Sequence, residues 1–244
     1  MHIALVGNPN SGKSSIFNSL TGLNQKDGNF PGVTVDKKTG LSRISEKLSV
    51  KIIDLPGTYS LYPKRNDEWV SYKVLLDQDP HIKADIIVLV ADASNLKRNL
   101  LFCSQIIDLK MPVVIALTMM DIAKKNNIQV DVAGLERELG VLVIPVNPRK
   151  NKGILELKKA ISQTAENTND ISEREFINME PMASEAIKKV QYIFPEISNY
   201  RAVHYLINHE NFTLNDHHQK AIENIALETE FNSSKTQAKE ILKR

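Results

Sequence analysis

Eight residues near the start of the chain, Gly7-Asn8-Pro9-Asn10-Ser11-Gly12-Lys13-Ser14, have the types and spacing of a phosphate-binding loop, G-x-x-x-x-G-K-[ST]. Backbone N–H groups in such a loop wrap a phosphate, helped by the positive end of the helix that follows. Lys13 is placed to reach the outer phosphates, and the Ser14 hydroxyl to ligate Mg²⁺. A second string, Asp54-Leu55-Pro56-Gly57, closes an apolar run. There a carboxylate can hold Mg²⁺ through water, and the Gly57 N–H can meet a γ-phosphate. Between the two lies Asn29-Phe30-Pro31-Gly32-Val33-Thr34-Val35, in which Thr34 is placed to be the second hydroxyl on the metal. A loop held by metal and γ-phosphate and released on hydrolysis is a common switch device.

The strand expected at Val113 to Leu117 leads into Thr118-Met119-Met120-Asp121. GTPases usually carry N-K-x-D in this place. The Asp121 carboxylate can accept from both N1–H and N2–H₂ of guanine, a pair that adenine does not offer. Met119 can lay an apolar arm along the base. Thr118 is shorter than asparagine and forgoes one amide contact, worth about 1 kcal/mol. A second base loop, Asn147-Pro148-Arg149, follows the apolar run that ends at Val146. Guanine O6 is normally met by a backbone N–H in this loop, which Pro148 does not have. Either Arg149 or a neighbour substitutes, or guanine selectivity is weakened.

No glutamine follows Gly57; the next residues are Thr58-Tyr59-Ser60-Leu61. The water-orienting side chain of Ras-like enzymes is therefore missing at that position. Two readings of Asn10 stay open on the residues alone. It tightens the phosphate loop, or it helps carbonyls near Gly28 to Phe30 cage a monovalent cation that does the work of an arginine finger.

These groups need a scaffold that brings strand ends together. Short β-branched runs at Ile3–Val6, Val50–Leu55, Ile86–Ala91, Val113–Leu117 and Val141–Val146 read as buried parallel strands. Lys37 to Ile44 reads as one more, antiparallel and at the edge. Helical spacing lies between them, from Ser15 to Leu20, through Leu96, Leu100, Cys103 and Ile107, and at Leu157 and Ile161. Strand–helix alternation predicts an α/β fold with a doubly wound, mostly parallel sheet. All ten glycines fall between Gly7 and Gly153, so later turns must be glycine-free, as suits short links between helices. Apolar residues at Ala183, Ile187, Val190 and Ile193, then Val203, Leu206 and Ile207, then Ala221, Ile222 and Ile225, then Ala238, Ile241 and Leu242 predict a small all-α bundle of about four helices. The expected division is 1–165 for the nucleotide-binding part, 166–178 for a polar linker and 179–244 for the bundle.

With 42% hydrophobic and 25% charged residues and a net charge of +2, the composition is that of a water-soluble globular protein and gives no prior for nucleic acid. The single cysteine, Cys103, excludes an internal disulfide and reads as core. Trp69 and Tyr72 read as packing residues. His217, His218 and Glu223 read as polar positions of an exposed helix face, and Lys37-Lys38 and Lys150 to Lys152 as solvated charge.

Three strings together, Gly7 to Asn18, Asn29 to Val35 and Asp54-Leu55-Pro56-Gly57-Thr58-Tyr59-Ser60-Leu61, resemble the N-terminal G domain of the ferrous iron transport protein B family. Met119-Met120-Asp121 matches as well. The likeness extends to about Ile161, and beyond it is architectural. It implies a P-loop GTPase fold with a helical appendage that slows GDP release. It also implies slow GTP hydrolysis activated by potassium, with Asn10 among the potassium-binding residues. The site it implies comprises Gly7, Asn8, Pro9, Asn10, Ser11, Gly12, Lys13, Ser14 and Ser15, then Gly32, Val33 and Thr34, then Asp54, Leu55, Pro56 and Gly57, then Thr118, Met119 and Asp121, then Asn147, Pro148 and Arg149. Lys13, Thr34, Gly57 and Asn10 carry the reaction in it. Ser14, Thr34 and, through water, Asp54 hold Mg²⁺. The expected partners are GTP or GDP and a membrane-embedded Fe²⁺ permease domain of the same full-length protein. A homo-oligomer is compatible with this, no nucleic acid is expected, and the place is the cytoplasmic face of the bacterial inner membrane. The chain then reads as the cytosolic portion of a membrane protein, cut before its first spanning helix. Departures from the family are Thr118, Pro148 and Phe30. Two rival readings are a ribosome- or tRNA-associated P-loop GTPase and a nucleotide switch with negligible turnover.

Overall fold

The computed structural model describes all residues except 23–24, 30–35, 168–170, 235 and 237–244. Two compact units divide the chain. The first comprises Met1–Ile107 and Met111–Arg174, the second Asp108–Lys110 and Glu175–Arg244.

The first unit is built on one sheet. Its strands are β1 (His2–Gly7), β2 (Gln25–Asn29), β3 (Asp36–Arg43), β4 (Ser49–Asp54), β5 (Ile86–Asp92), β6 (Val113–Thr118) and β7 (Leu142–Pro145). Their order is β2-β3-β4-β1-β5-β6-β7. β4, β1, β5, β6 and β7 run parallel, in register from His2↔Lys51 and Ile3↔Ile86 to Leu117↔Pro145. The helices are α1 (Lys13–Thr21), α2 (Asn66–Leu75), α3 (Leu96–Asp108), α4 (Met120–Lys125), α5 (Val132–Leu139) and α6 (Ile154–Glu166). Ile16, Phe17 and Leu20 of α1 and Leu157, Ala160 and Ile161 of α6 form one buried cluster with Ile3, Leu5, Ile52, Ile86, Val88 and Val114 of the sheet. Successive strand residues face opposite sides. Ala4, Ile53, Ile87 and Leu89, on the other side, are buried too, which is why these strands are continuous apolar runs. The sheet grows in opposite directions from β1, so the strand ends beside β1 form the crevice where ligands enter open α/β sheets.

One expectation needs correction. β3 is antiparallel to β4, but it is not the edge, because β2 pairs along its other side from Gln25↔Gly40 to Asn29↔Asp36. The sequence of β2, Gln-Lys-Asp-Gly-Asn, has no apolar alternation, so nothing in it signals a strand. Glu166, the first residue of the stretch expected as linker, is the last residue of α6.

The second unit contains α7 (Glu180–Ile193), α8 (Asn199–Asn208) and α9 (Asp216–Glu228) among its described residues. The expected helix with Ala238, Ile241 and Leu242 lies outside them. The glycine-free links end on polar caps. Ser198 Oγ accepts from the Arg201 N–H at 3.1 Å, and Asn215 Oδ1 from the His218 N–H at 2.8 Å. Ala186, Ile187 and Val190 of α7, Val203 and Leu206 of α8, and Ile222 and Ile225 of α9 are buried.

His204 of α8 is fully buried, edge-on to Tyr200 at 4.6 Å between ring centroids. Burial disfavours its cation and pulls its pKa down to about 3, against 6.5 for the free side chain. Its contribution to stability is therefore complete above pH 6.5 and is lost as pH falls from there towards 3. Asp108 opposes this. Burial pushes its carboxyl up to about 6, and the N–H groups of Phe176 and Ile177 that donate to it offset part of that rise. A raised acid stabilises the fold below its ordinary value and loses that contribution as pH climbs through 6. His204→Phe isolates the histidine. Wild type should lose about 2 kcal/mol more than the variant between pH 7 and 5 in urea unfolding. Equal losses would remove His204 as the cause.

Candidate functional site

The loop that leaves β1 runs against the end of β4 and opens directly into α1. The Thr58 N–H donates to Gly7 O at 3.2 Å, and the Leu55 N–H donates to Leu5 O at 3.1 Å. Gly57 lies so close to the loop that a Cβ there would stand 3.2 Å from Pro9 N and 3.3 Å from Pro9 Cα. Asn10 has a left-handed backbone at φ 65°, which a short amide side chain tolerates.

A cleft of about 730 Å³ runs from this loop to the ends of β6 and β7. Asn8, Pro9, Asn10, Gly12, Lys13, Ser14 and Ser15 line one end of it, with Pro56 and Gly57. Thr118, Met119, Asp121, Val146, Asn147, Pro148 and Arg149 line the other. The sequence-predicted phosphate and base residues thus share one cavity, apart from a few. Gly7 ends β1 beneath the loop, and Asp54, buried at the end of β4, does not itself line the cleft. Ser11 is buried, and its carbonyl accepts the Thr118 hydroxyl. The Leu55 side chain is fully buried in the core, so only its backbone can serve the site. Gly32, Val33 and Thr34 lie outside the described residues.

The Lys13 ammonium donates to Asp54 Oδ1 in an ion pair whose side chains are only 13% and 8% exposed. Ser14 is exposed on the cleft wall one position further on. A carboxylate, a serine hydroxyl and room for water are the hard oxygen donors that Mg²⁺ takes. The donor set here fits that ion, provided Lys13 turns to an anionic occupant.

Asn8 is 4% exposed, and neither polar atom of its carboxamide has a hydrogen-bond partner among the described residues. Leaving such groups unpaired costs about 1–3 kcal/mol each, so a buried amide on a cleft wall marks where a polar ligand belongs.

At the base end, Thr118 does half of what an asparagine would do. Its hydroxyl bonds Ser11 O at 2.7 Å and Ala91 O at 3.0 Å, which ties the phosphate loop to β5 and β6. At 2% exposure it has no reach left for a base. Met119 is left-handed at φ 57° and caps α4, whose first turn carries the exposed Asp121. Asn147 Oδ1 accepts from the Lys150 N–H at 3.2 Å, so this side chain is turned back into its own loop.

The segment after Gly57 is held from several sides. Ser71 Oγ of α2 donates to Pro56 O at 2.7 Å, and Gln105 Oε1 of α3 accepts from the Leu61 N–H at 3.0 Å. The Arg98 guanidinium lies 3.9 Å over the Tyr59 ring. Thr58, where a Ras-like enzyme would have glutamine, is buried, and its hydroxyl donates to Ser60 O at 2.9 Å. No side chain at that position is free to orient water.

Arg65 and Asp67, at the start of α2, also line the cleft, as does Ile122. Sequence reasoning missed them. No motif marks these positions; the hold of α2 on Pro56 through Ser71 brings Arg65 and Asp67 there, and Ile122 follows Asp121 in α4.

Cys103 is buried, and its thiol is pushed up to about 12 by burial, as fits a core residue. Trp69 and Tyr72 pack edge to face at 5.3 Å. His218 packs on Phe194 at 4.9 Å. Among the described residues no group of His, Cys, Asp and Glu could hold a metal ion on its own. No helix among them is long and apolar enough to cross a membrane.

Comparison with known proteins agrees with this geometry. Residues 1–161 match the family model of ferrous iron transport protein B. The Fe(2+) transporter FeoB of Leptospira biflexa is 46% identical over 162 residues, 66% of this chain and 23% of the transporter. That of Escherichia coli K12 is 43% identical over 171 residues, 68% of this chain and 22% of the transporter. The chain thus spans about a quarter of the length of these relatives. Among solved structures, the cytosolic domain of L. pneumophila FeoB is 35% identical with a TM-score of 0.77, covering 98% of this chain and 94% of that one. A GDP-bound variant of the S. thermophilus FeoB G-domain is 33% identical with a TM-score of 0.76, covering 98% and 94%.

Proposed function

Because this chain belongs to the ferrous iron transport protein B family, we propose that it binds and slowly hydrolyses GTP as the regulatory part of a ferrous iron transporter. The observation that carries this reading is the shared cleft. A phosphate loop with its lysine lies at one end, and a carboxylate able to read guanine lies at the other.

In this reading the loop backbone and Lys13 hold the phosphates, and the Gly57 N–H meets the γ-phosphate. Ser14, Thr34 and, through water, Asp54 hold Mg²⁺, which would neutralise charge on the β- and γ-phosphates. Asn10 contributes one oxygen to a potassium site. Asp121 accepts from the guanine edge, Met119 lies along the base, and Arg149 stands in for the N–H that Pro148 lacks. Backbone of the held segment after Gly57, rather than a glutamine, orients the water. Residues 1–165 act as the G domain, 166–178 as linker and 179–244 as a helical appendage. The partner is a membrane-embedded Fe²⁺ permease domain of the same protein at the cytoplasmic face of the inner membrane.

Titrating GDP, GTP and ATP into the 244-residue protein tests the base reading. GDP and GTP should bind well ahead of ATP. Asp121→Ala should cost about 1.5–3 kcal/mol of guanine affinity, the worth of hydrogen bonds to a charged group, and leave ATP binding unchanged. A preference for ATP would remove the GTPase reading. Turnover of GTP in KCl against NaCl tests the cation. Equal rates, or full activity in Asn10→Ala, would rule out a potassium role.

A further inference from the structure

The family reading leaves charge on the leaving phosphates to a bound cation. The structure holds a second source. Arg65 caps the start of α2 and lines the same cleft as Lys13 and Gly57. Its guanidinium is 64% exposed and pairs with the Asp67 carboxylate, itself 35% exposed and on the same wall, while its Nε stands 3.9 Å from Glu68 Oε1. The backbone there is held by Glu68 rather than by the pair with Asp67. The Glu68 carboxylate accepts the Lys64 N–H at 2.7 Å and the Arg65 N–H at 3.3 Å, which fixes the chain entering the helix. The pair with Asp67 can therefore be exchanged without undoing the start of the helix. An exposed pair of this kind adds little to stability, so a phosphate displaces it easily.

The cleft repeats one device. Lys13 and Arg65 each sit on its wall in the grip of a carboxylate, Asp54 and Asp67. The buried, unpartnered carboxamide of Asn8 on the same wall points independently to a polar ligand at this end. A planar guanidinium matches phosphate oxygens two at a time, and it is the group that stabilises the spread charge of phosphoryl transfer.

We propose that Arg65 is a catalytic residue, exchanging Asp67 for the terminal phosphate of GTP as hydrolysis proceeds. This rests on the GTPase reading above. In the reaction a water oxygen bonds the γ-phosphorus and the bond from that phosphorus to the β–γ bridging oxygen breaks. The electron pair stays with GDP, and the proton of the water leaves with inorganic phosphate or to solvent. Arg65 neither gains nor loses a proton; it neutralises charge on the γ-phosphate oxygens. Because its target is the γ-phosphate, it leaves GDP affinity alone.

The test is single-turnover GTP hydrolysis, with Mg²⁺ in KCl, by wild type, Arg65→Ala, Arg65→Lys and Asp67→Asn, with GDP affinity measured in parallel. Arg65→Ala should lose about tenfold or more in rate, far less than a fully enclosed arginine finger supplies, with GDP affinity within about twofold. Arg65→Lys should recover part of the loss. Asp67→Asn should raise the rate, because it leaves the guanidinium only its longer contact with Glu68. That sign separates the proposal from a structural staple, for which both substitutions break the same contact and both slow the reaction. Wild-type rate in Arg65→Ala, or slowing in Asp67→Asn, overturns the proposal while GDP binding leaves the family reading standing. A wild-type protein that neither binds GDP nor hydrolyses GTP overturns both.

Discussion

Lys13→Ala should abolish nucleotide turnover and, unusually for a ligand-binding residue, destabilise the nucleotide-free protein as well. The first effect follows from position. Lys13 is the loop cation on the cleft wall, and removing a preorganised charge of this kind from a phosphoryl-transfer site costs about a hundredfold or more in rate. The second follows from the pair with Asp54, whose carboxylate is only 8% exposed. Removing one partner of a buried pair leaves the other charge uncompensated, at about 3–5 kcal/mol. The double variant Lys13→Ala with Asp54→Ala separates the two. It should recover most of the stability in urea unfolding and none of the turnover. If Lys13→Ala alone unfolds at the wild-type midpoint, Asp54 has another partner and the pair is not what holds the end of β4 to the loop.

The same residues show how far the sequence could be read. The phosphate loop and Asp54 were legible because their chemistry demands fixed spacing and because five parallel strands, covered on both faces, are written as apolar runs. Thr118 was legible only as a deficit. Its compensating bond to Ser11 O spans 107 positions of chain, and no local rule could supply it. β2 was invisible because it is polar and gains its place by pairing with β3. Arg65 and Asp67 carry no motif, and they reach the cleft because α2 is held on Pro56 through Ser71. Asn8 was legible as a loop member but not as a buried amide without a partner. Each miss is a case where tertiary contact, rather than residue type, assigns the role.

Gly153 is the sharpest such case, and Gly153→Ala should be the most destabilising change at the base end of the cleft. It caps α6 at φ 77°, a conformation that costs a residue with a side chain about 1–2 kcal/mol. An alanine Cβ there would also collide with Pro145 O and lie 3.0 Å from Val146 Cα. Both are backbone atoms, so no side chain can move aside, and the end of β7 must shift, at about 1–3 kcal/mol more. That shift is felt where it matters. Val146, Asn147 and Pro148 line the cleft, and Lys152, the residue before Gly153, exchanges both backbone hydrogen bonds with Asn147, at 2.8 and 3.1 Å. The expected result is about 3 kcal/mol of lost stability, with guanine affinity falling and inorganic phosphate binding at the loop unchanged in the folded fraction. Gly22→Ala supplies the comparison. Its φ is 61°, but no described residue lies within 4 Å of the added Cβ, so it should lose only the backbone part. If the two variants melt together, the steric argument fails, and the base loop is held by something other than the close approach of Gly153 to β7.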